Sequence, residues 1–303
     1  MPRFTVTPER PYSLALTAER FRRFPEVIDR FDGKSYRRLV FVDKSPLLVV
    51  VTQTGPPRHA TLDVSLQGKP SRTPEARRVA LHLVEESLGT RVAVAPFYKK
   101  LARDPIVGDA LRAFRGLRAA GWADPWEALV TTVLSQQVNL KFAYDIRREL
   151  TLAFGRRARF DGETYFGFPA PERIAKEGAR KLLKFRLSRA KAGTIARLAR
   201  AFATGALSRD ALDPLSDDDA LAKLTAVKGV GRWTAEITLL RCLGRVDAFP
   251  AGDLGVVKYL AQGLLKREER ATEKEMRRFA EAWRPYRGLA LVYAYAELSR
   301  RKL

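Results

Sequence analysis

An α+β fold is predicted, in which a small N-terminal α/β domain with an antiparallel sheet precedes an all-helical remainder. Three observations predict it. Up to about residue 95, the segments 4–7, 12–16, 36–43, 47–54 and 58–66 are short and rich in Val, Leu, Phe and Tyr. Turn residues such as Asp32-Gly33 and Gly55-Pro56-Pro57 separate them, as they separate strands. Beyond Pro96-Phe97-Tyr98 and Asp104-Pro105, apolar residues recur at helical spacing to the end of the chain. Finally, residues 216–264 read as helix, glycine hairpin, helix, irregular turn, aspartate and a third helical run.

Composition narrows the class. The 303 residues suffice for two or three modest domains, and 46% hydrophobic content marks a globular chain. Fifty-six Lys and Arg stand against 34 Asp and Glu, a net +22 spread along the sequence. A chain this basic meets a polyanion, and nucleic acid is the first expectation. Acidic membrane surfaces come second, since no apolar run approaches the roughly 18 residues of a span and no signal-peptide pattern opens the chain. Cys242 is the only cysteine, which excludes internal disulfides and a four-cysteine iron–sulfur cluster. Its place among Leu239, Leu240 and Leu243 predicts a buried helix position. His59 and His82 are too few for a metal site and are expected to be structural. The expected compartment is the cytoplasm, near the chromosome.

Each element has its own signals. Residues 21–31 and 74–88 carry helical spacing within the N-terminal domain. Asp124 is placed as an N-cap, Pro125 at the first helical position, and Glu127 as the partner completing a capping box. That helix should bury Leu129, Val133 and Leu134. It runs into Ser135-Gln136-Gln137-Val138-Asn139, which reads either as a helix end facing something polar or as a solvated bend. Residues 155–205 read as basic and helical, with Arg156, Arg157 and Arg159 in one run and Lys181, Lys184, Arg186, Arg189 and Lys191 in another. Behind the second run Ile195, Leu198 and Phe202 form an apolar face; the charges themselves are either a solvated face or phosphate contacts. Ser216 and Asp219 have the spacing of a helix start, and Leu221, Leu224 and Val227 form the stripe that follows. Gly229-Val230-Gly231 ends that helix. The next carries Ala235, Leu239 and Leu243, with Gly244 as its stop, and Phe249-Pro250-Ala251-Gly252 forces an irregular turn before Asp253 and the run 254–264. Residues 272–303 give two amphipathic helices whose Trp283, Tyr286, Tyr293 and Tyr295 are expected to pack in the core.

Two of these features carry chemistry. Consecutive backbone N–H groups around the two glycines, backed by a helix N-terminus, can cradle an anion, and Lys228 and Arg232 make a nucleic-acid phosphate the natural one. A plain turn between helices is the alternative. Asp253, at a helix N-terminus, is kept ionised by N–H groups and the helix dipole. It is either an N-cap only, or a carboxylate able to stabilise an oxocarbenium-like sugar and orient water.

With LTAVKGVGRWTA followed by AFPAGD, the chain resembles the helix-hairpin-helix (HhH-GPD) DNA glycosylases, most closely the DNA-3-methyladenine glycosylase II family. APFYKKLARDP and DPWEALVTTVLSQQV extend the resemblance over most of the chain. It implies an N-terminal domain over 1–95 and a two-lobed helical domain over 96–303, one lobe being 124–250 with the hairpin at 216–244, the other 96–123 plus 254–303. It further implies Asp253 as the catalytic carboxylate, and Trp233, Tyr295 and Gln136 as substrate-binding residues. Gln137, Lys228, Gly229, Val230, Gly231, Arg232 and Thr234 would then bind DNA, Gln137 as the wedge left in the duplex. Ile237 and Ala296 stand where aromatic residues are expected, so the pocket should be roomier. Arg186 stands where many relatives place glycine. Relatives that also cut the strand carry a lysine two residues after the second hairpin glycine, and Trp233 stands there instead. The implied activity is therefore a monofunctional, monomeric enzyme acting on damaged double-stranded DNA, without membrane partner. It would excise alkylated purines such as 3-methyladenine and 7-methylguanine, whose positive charge an indole face attracts. No cofactor is implied beyond a monovalent cation at the hairpin carbonyls when DNA is bound. A glycosylase for oxidised or deaminated bases, or a non-catalytic DNA-binding protein of the same fold, are the alternatives.

Overall fold

The computed structural model describes residues 1–23 and 26–301. Five antiparallel strands open the chain, β1 (Arg3–Val6), β2 (Asp29–Phe31), β3 (Ser35–Val42), β4 (Ser45–Thr54) and β5 (Thr61–Gln67), in the spatial order β1-β5-β4-β3-β2. Alternation sets the register of β5: Leu62, Val64 and Leu66 are buried, and Val64 lies opposite both Phe4 and Val51. Helices α1 (Leu14–Arg23) and α2 (Pro74–Leu88) close the domain's core. Thr73 caps α2, accepting from Ala76 N, and Pro74 takes the first position. Two expectations are corrected. Segment 12–16 is not a strand, and helix α1 begins at Leu14 instead of residue 21. The cause is spacing: Leu14, Thr17, Ala18 and Phe21 recur at helical intervals and are all buried. Residues 29–31 form β2, while residues 24–25 of the expected helix lie outside the described residues.

The second part contains α3 (Ala95–Leu101), α4 (Gly108–Ala113), α5 (Pro125–Ser135), α6 (Leu140–Phe154), α7 (Pro171–Leu182), α8 (Arg189–Ala203), α9 (Asp217–Thr225) and α10 (Arg232–Arg241). A π-helical segment, Gly255–Leu260, leads into a short α11 (Ala261–Gly263), then α12 (Glu273–Ala280) and α13 (Arg287–Arg300). Helix α5 is buried along its length from Pro125 to Leu134 and is the axle of this part, with α6, α8 and α10 against it. One continuous apolar cluster runs from Val94 to Leu298, and Trp126 within it is satisfied by donating Nε1 to Pro169 O at 2.7 Å.

The run 155–205 is not wholly helical. Strands β6 (Arg157–Phe160) and β7 (Glu163–Phe166) form a hairpin whose turn is Asp161-Gly162, both at positive φ. An Asp-Gly pair between alternating segments is a strong two-residue hairpin signal. The hairpin packs on the N-terminal sheet, where Tyr165 joins Leu39 and Leu48, and Arg30 reaches Glu163 at 2.8 Å. The run 254–264 is also corrected, since most of it is π-helical.

Glu127 does not complete a capping box, although Asp124 caps α5 by accepting from Trp126 N at 2.8 Å. Its buried carboxylate pairs with Arg38 of β3 and, at 2.6 Å, with Arg147 of α6. Arg38 also bonds Asp29 at 2.8 Å, and Tyr36 donates to the same carboxylate at 2.5 Å. Two arginines in the interior required carboxylates more than the helix required its box. The result ties the sheet to the axle helix.

Candidate active site and nucleic-acid interface

The hairpin lies between α9 and α10. Ser216 caps α9, accepting from Asp219 N at 3.1 Å. Val230 N donates to Val227 O at 2.9 Å, closing the turn, and Gly229 sits at φ +97°, where L-residues are strained. A Cβ on Gly229 would also overlap Thr194 Oγ1 of α8, whereas one on Gly231 would meet open space. Val230 and Thr234 turn their side chains inward, leaving Lys228, Gly229, Gly231 and Arg232 exposed. Helix α10 starts without a side-chain cap, so its first N–H groups face outward from the turn. Arg197 Nε donates to Lys228 O at 3.0 Å, and Gln136 Nε2 donates to Gly229 O at 3.1 Å and to Thr234 Oγ1 at 3.0 Å. Gln136 thus stands across the hairpin from α5, and both its amide bonds brace that turn.

The residue after it points elsewhere. Gln137 is exposed and in the left-handed region at φ +53°, in the tight passage between α5 and α6. Asn139 closes this passage by capping α6, accepting from Phe142 N at 2.8 Å. A glutamine in that backbone conformation, with neighbours fixed on both sides, is a protruding and preorganised feature. Lys191 has a structural partner: its Nζ donates to Leu134 O at 2.8 Å, and partial burial pulls its pKa down. Arg186 is at φ +58°, the conformation that a glycine would take up most readily.

Asp253 is reached through the irregular turn. Phe249 is buried edge-on to Trp283, and Asp253 N donates to Pro250 O at 2.9 Å. Three donors then hold the carboxylate. Gly255 N at 2.8 Å and the Tyr295 hydroxyl at 2.8 Å both reach Oδ1, and Trp233 Nε1 reaches Oδ2 at 2.7 Å. Asp253 O meanwhile accepts from Val256 N and Val257 N, each at 2.9 Å. The aspartate is both a helix cap and an oriented, half-buried anion. Burial, then the neighbouring Asp253 charge, push the Tyr295 hydroxyl well above its ordinary pKa, which keeps it a proton donor.

Gly255 is a site residue that the sequence did not reveal. A Cβ there would come within 2.5 Å of Tyr295 Oη and 2.9 Å of Asp253 Oδ1. Only a glycine lets the backbone N–H, the phenol and the carboxylate converge. Thr194 and Arg197 brace the hairpin from behind, and no motif in the sequence singles them out. Of the other predicted residues, Tyr295 joins Asp253 instead of the buried Trp283 and Tyr293, and Ile237 and Ala296 are half-buried at the edge of the core.

Among the described residues, no group of three or more His, Cys, Asp or Glu could hold a metal ion. The carbonyls of Val227, Lys228 and Gly229, at which the cation is expected with DNA bound, each accept a protein hydrogen bond. No step below passes through a cation.

Residues 130–285 match the HhH-GPD superfamily of base excision DNA repair proteins. This chain belongs to that family. It is 34% identical over 205 residues to the DNA-3-methyladenine glycosylase of Bacillus subtilis (strain 168), a match covering 68% of this chain and 67% of that one. It is 28% identical over 240 residues to DNA-3-methyladenine glycosylase 2 of Escherichia coli (strain K12), covering 76% and 81% respectively. The fold is shared with the 3-methyladenine DNA-glycosylase from Archaeoglobus fulgidus, at a TM-score of 0.81 and 24% identity over 99% of this chain and 98% of that one. Within the HhH-GPD match lie the hairpin, the Gln137 passage and Asp253; Tyr295 falls beyond it. Trp233, two residues after Gly231, donates its indole N–H to Asp253. Among the described residues, no helix of this HhH-GPD protein is long and apolar enough to cross a membrane.

Proposed function

We propose that this chain is a monofunctional DNA glycosylase that turns alkylated purines out of duplex DNA and hydrolyses the N-glycosidic bond, leaving an abasic site. The carrying observation is the Asp253 carboxylate, held by an indole N–H, a phenol and a backbone N–H at the mouth of a helix. The relatives, DNA-3-methyladenine glycosylases by name, support 3-methyladenine as substrate, and 7-methylguanine shares its positive charge.

In this reading the uncapped start of α10, with Lys228 and Arg232 beside it, binds a backbone phosphate without regard to sequence. Gln137 enters the duplex where the base has left. The flipped base rests against the indole of Trp233, with Tyr295 as a second wall and Gln136 fixing the hairpin between them. As the C1′–N bond breaks, Asp253 sets a fixed negative charge beside the cationic sugar and orients the water that adds to C1′. A methylated purine is already a good leaving group, so no general acid is required. With Trp233 in the lysine position there is no amine to form an imine, and strand cleavage is not part of the activity. The protein acts as a monomer on the chromosome, in the cytoplasm.

The test is incubation with methylated duplex DNA and direct detection of released bases. Free 3-methyladenine and 7-methylguanine should appear, with strands breaking only after separate alkali or heat. Release from oxidised but not from methylated duplexes would overturn the substrate class. No release from either would reduce the protein to a DNA-binding one.

A further inference from the structure

Arg277 of α12 takes no part in the steps above, although its guanidinium is engaged on every side. Its Nε donates to Glu273 Oε1 at 3.0 Å, and Nη2 reaches the same oxygen at 2.6 Å and Glu236 Oε2 at 3.1 Å. Nη1 lies 2.9 Å from Glu236 Oε1 and donates to Phe249 O at 3.3 Å. These five contacts account for the five N–H donors of a guanidinium. Two of the partners lead to places already described. Phe249 opens the irregular turn that delivers Asp253. Glu236 stands on α10 one turn after Arg232, and its Oε1 also accepts from Arg232 Nε at 2.9 Å.

Burial is graded along this chain. The Glu236 side chain is 6% exposed, that of Arg277 28% and that of Arg232 56%. A carboxylate withdrawn from water between two guanidinium groups binds both firmly, since losing either partner leaves a poorly compensated buried charge. The exposed guanidinium of Arg232 keeps an outward face for a phosphate. The turn is gripped a second time, because a Cβ on Gly252, the residue before Asp253, would come within 2.8 Å of Glu273 Oε2. An unbroken series of charged contacts therefore runs from Arg232, through Glu236 and Arg277, to the carbonyl of Phe249. The start of α10 meets the Asp253 turn at two levels. Trp233 bonds the carboxylate itself, and Arg232 reaches, through two side chains, the backbone that carries it.

We propose that Glu236 and Arg277 are positioning residues that lock the phosphate-binding Arg232 and the Asp253 turn into one unit. Gripping a backbone phosphate then also fixes the carboxylate against the sugar. The planar fork of arginine makes this junction possible, since a lysine carries its charge on one nitrogen and cannot span three partners on separate groups. The proposal rests on the glycosylase reading above.

The test is single-turnover release of methylated purines at protein concentrations that saturate the duplex, with duplex affinity and the unfolding midpoint measured alongside. At saturation the rate reports bond cleavage and not binding. Arg277→Lys should slow release on the order of 10-fold, because a small displacement of a reacting group is costly, while affinity stays within about twofold of wild type. Arg232→Met, at an exposed position, should weaken affinity and also slow release at saturation ~3-fold or more. The double variant should be no slower than Arg277→Lys alone, since the link is already cut. Glu236→Gln keeps the shape, removes the charge at the centre of the link, and should likewise abolish the rate effect of Arg232→Met; it decides the matter where Arg277→Lys is unfolded. Losses that multiply in the double variants, or an unchanged saturating rate in Arg232→Met, would overturn the positioning role. An arginine with a merely structural role would lower the midpoint and leave the two rate effects independent. A wild type that releases methylated purines while Arg277→Lys keeps its rate overturns the positioning role alone. A wild type that releases none overturns the glycosylase reading itself, and the positioning role with it.

Discussion

At Asp253 every close neighbour is a donor: a phenol and a backbone N–H on one oxygen, an indole N–H on the other. A carboxylate so surrounded is fixed in direction as well as in charge, and the remaining lone pair of Oδ2 is free to face sugar or water. Tyr295→Phe removes one donor while keeping the ring, so base release should fall ~10-fold, the worth of a hydrogen bond to a charged group. Duplex affinity should not change. Rates and anisotropy titrations on the same variant check both, and an unaltered rate would remove the phenol from the machinery. Trp233 makes a second statement at this scale. Borohydride added during turnover should trap no covalent adduct with the wild type, because no amine stands at the lysine position. An adduct mapped to Lys228 would contradict this. Asp253, Trp233 and Tyr295 are singled out by the resemblance, and hydrogen bonds join them in the structure. Gly255 is not singled out, because what forbids its Cβ is a tyrosine from a distant helix.

The hairpin shows how unequal two glycines of one motif can be. Gly229 has φ +97° and no room for a Cβ against Thr194, while Gly231 has an extended backbone and open space beside it. Gly229→Ala should therefore cost about 2 kcal/mol or more in stability, from backbone strain and overlap together. Gly231→Ala should cost about 1 kcal/mol at most. Chemical denaturation of the two variants distinguishes them, and equal losses would contradict the packing against α8. The sequence showed that glycines break the chain here, and Ser216 and Asp124 each cap the helix that local pattern assigned them. It misled where a basic composition masked a short alternation, as at β6 and β7 around Asp161-Gly162. It also misled where the apolar start of a helix reads as a strand, as Leu14-Ala15-Leu16 of α1 does. The π-helical segment after Asp253, Gly255–Leu260, has no sequence signature.

Across the whole molecule, the sheet and the helical part are joined by buried charges as well as by apolar contact. Glu127 stands between Arg38 of the sheet and Arg147 of α6, and Arg147 further reaches Glu26 at 3.4 Å. Glu127→Ala would leave two buried cations short of a partner and should destabilise by about 3–5 kcal/mol. A thermal or denaturant midpoint near that of the wild type would show that the network relaxes to solvent. None of these pairings could be read from the sequence, where Glu127 looks like an ordinary member of a helix's first turn. The net charge of +22 acts at the same scale but through solvent. Duplex affinity should fall by ~0.9 log unit per log unit of salt for each neutralised phosphate, for lesion and intact DNA alike.

One carboxylate carries the proposed activity, and a paired measurement probes it. Single-turnover release of methylated purines is compared between the wild type and Asp253→Asn, with affinity for the same duplex measured alongside. The amide presents an NH2 where a negative charge should face the sugar, so release should slow on the order of 10²-fold or more while duplex affinity stays near that of the wild type. An Asp253→Asn protein that binds DNA normally and excises at the wild-type rate would contradict the account and leave Asp253 as a helix cap alone.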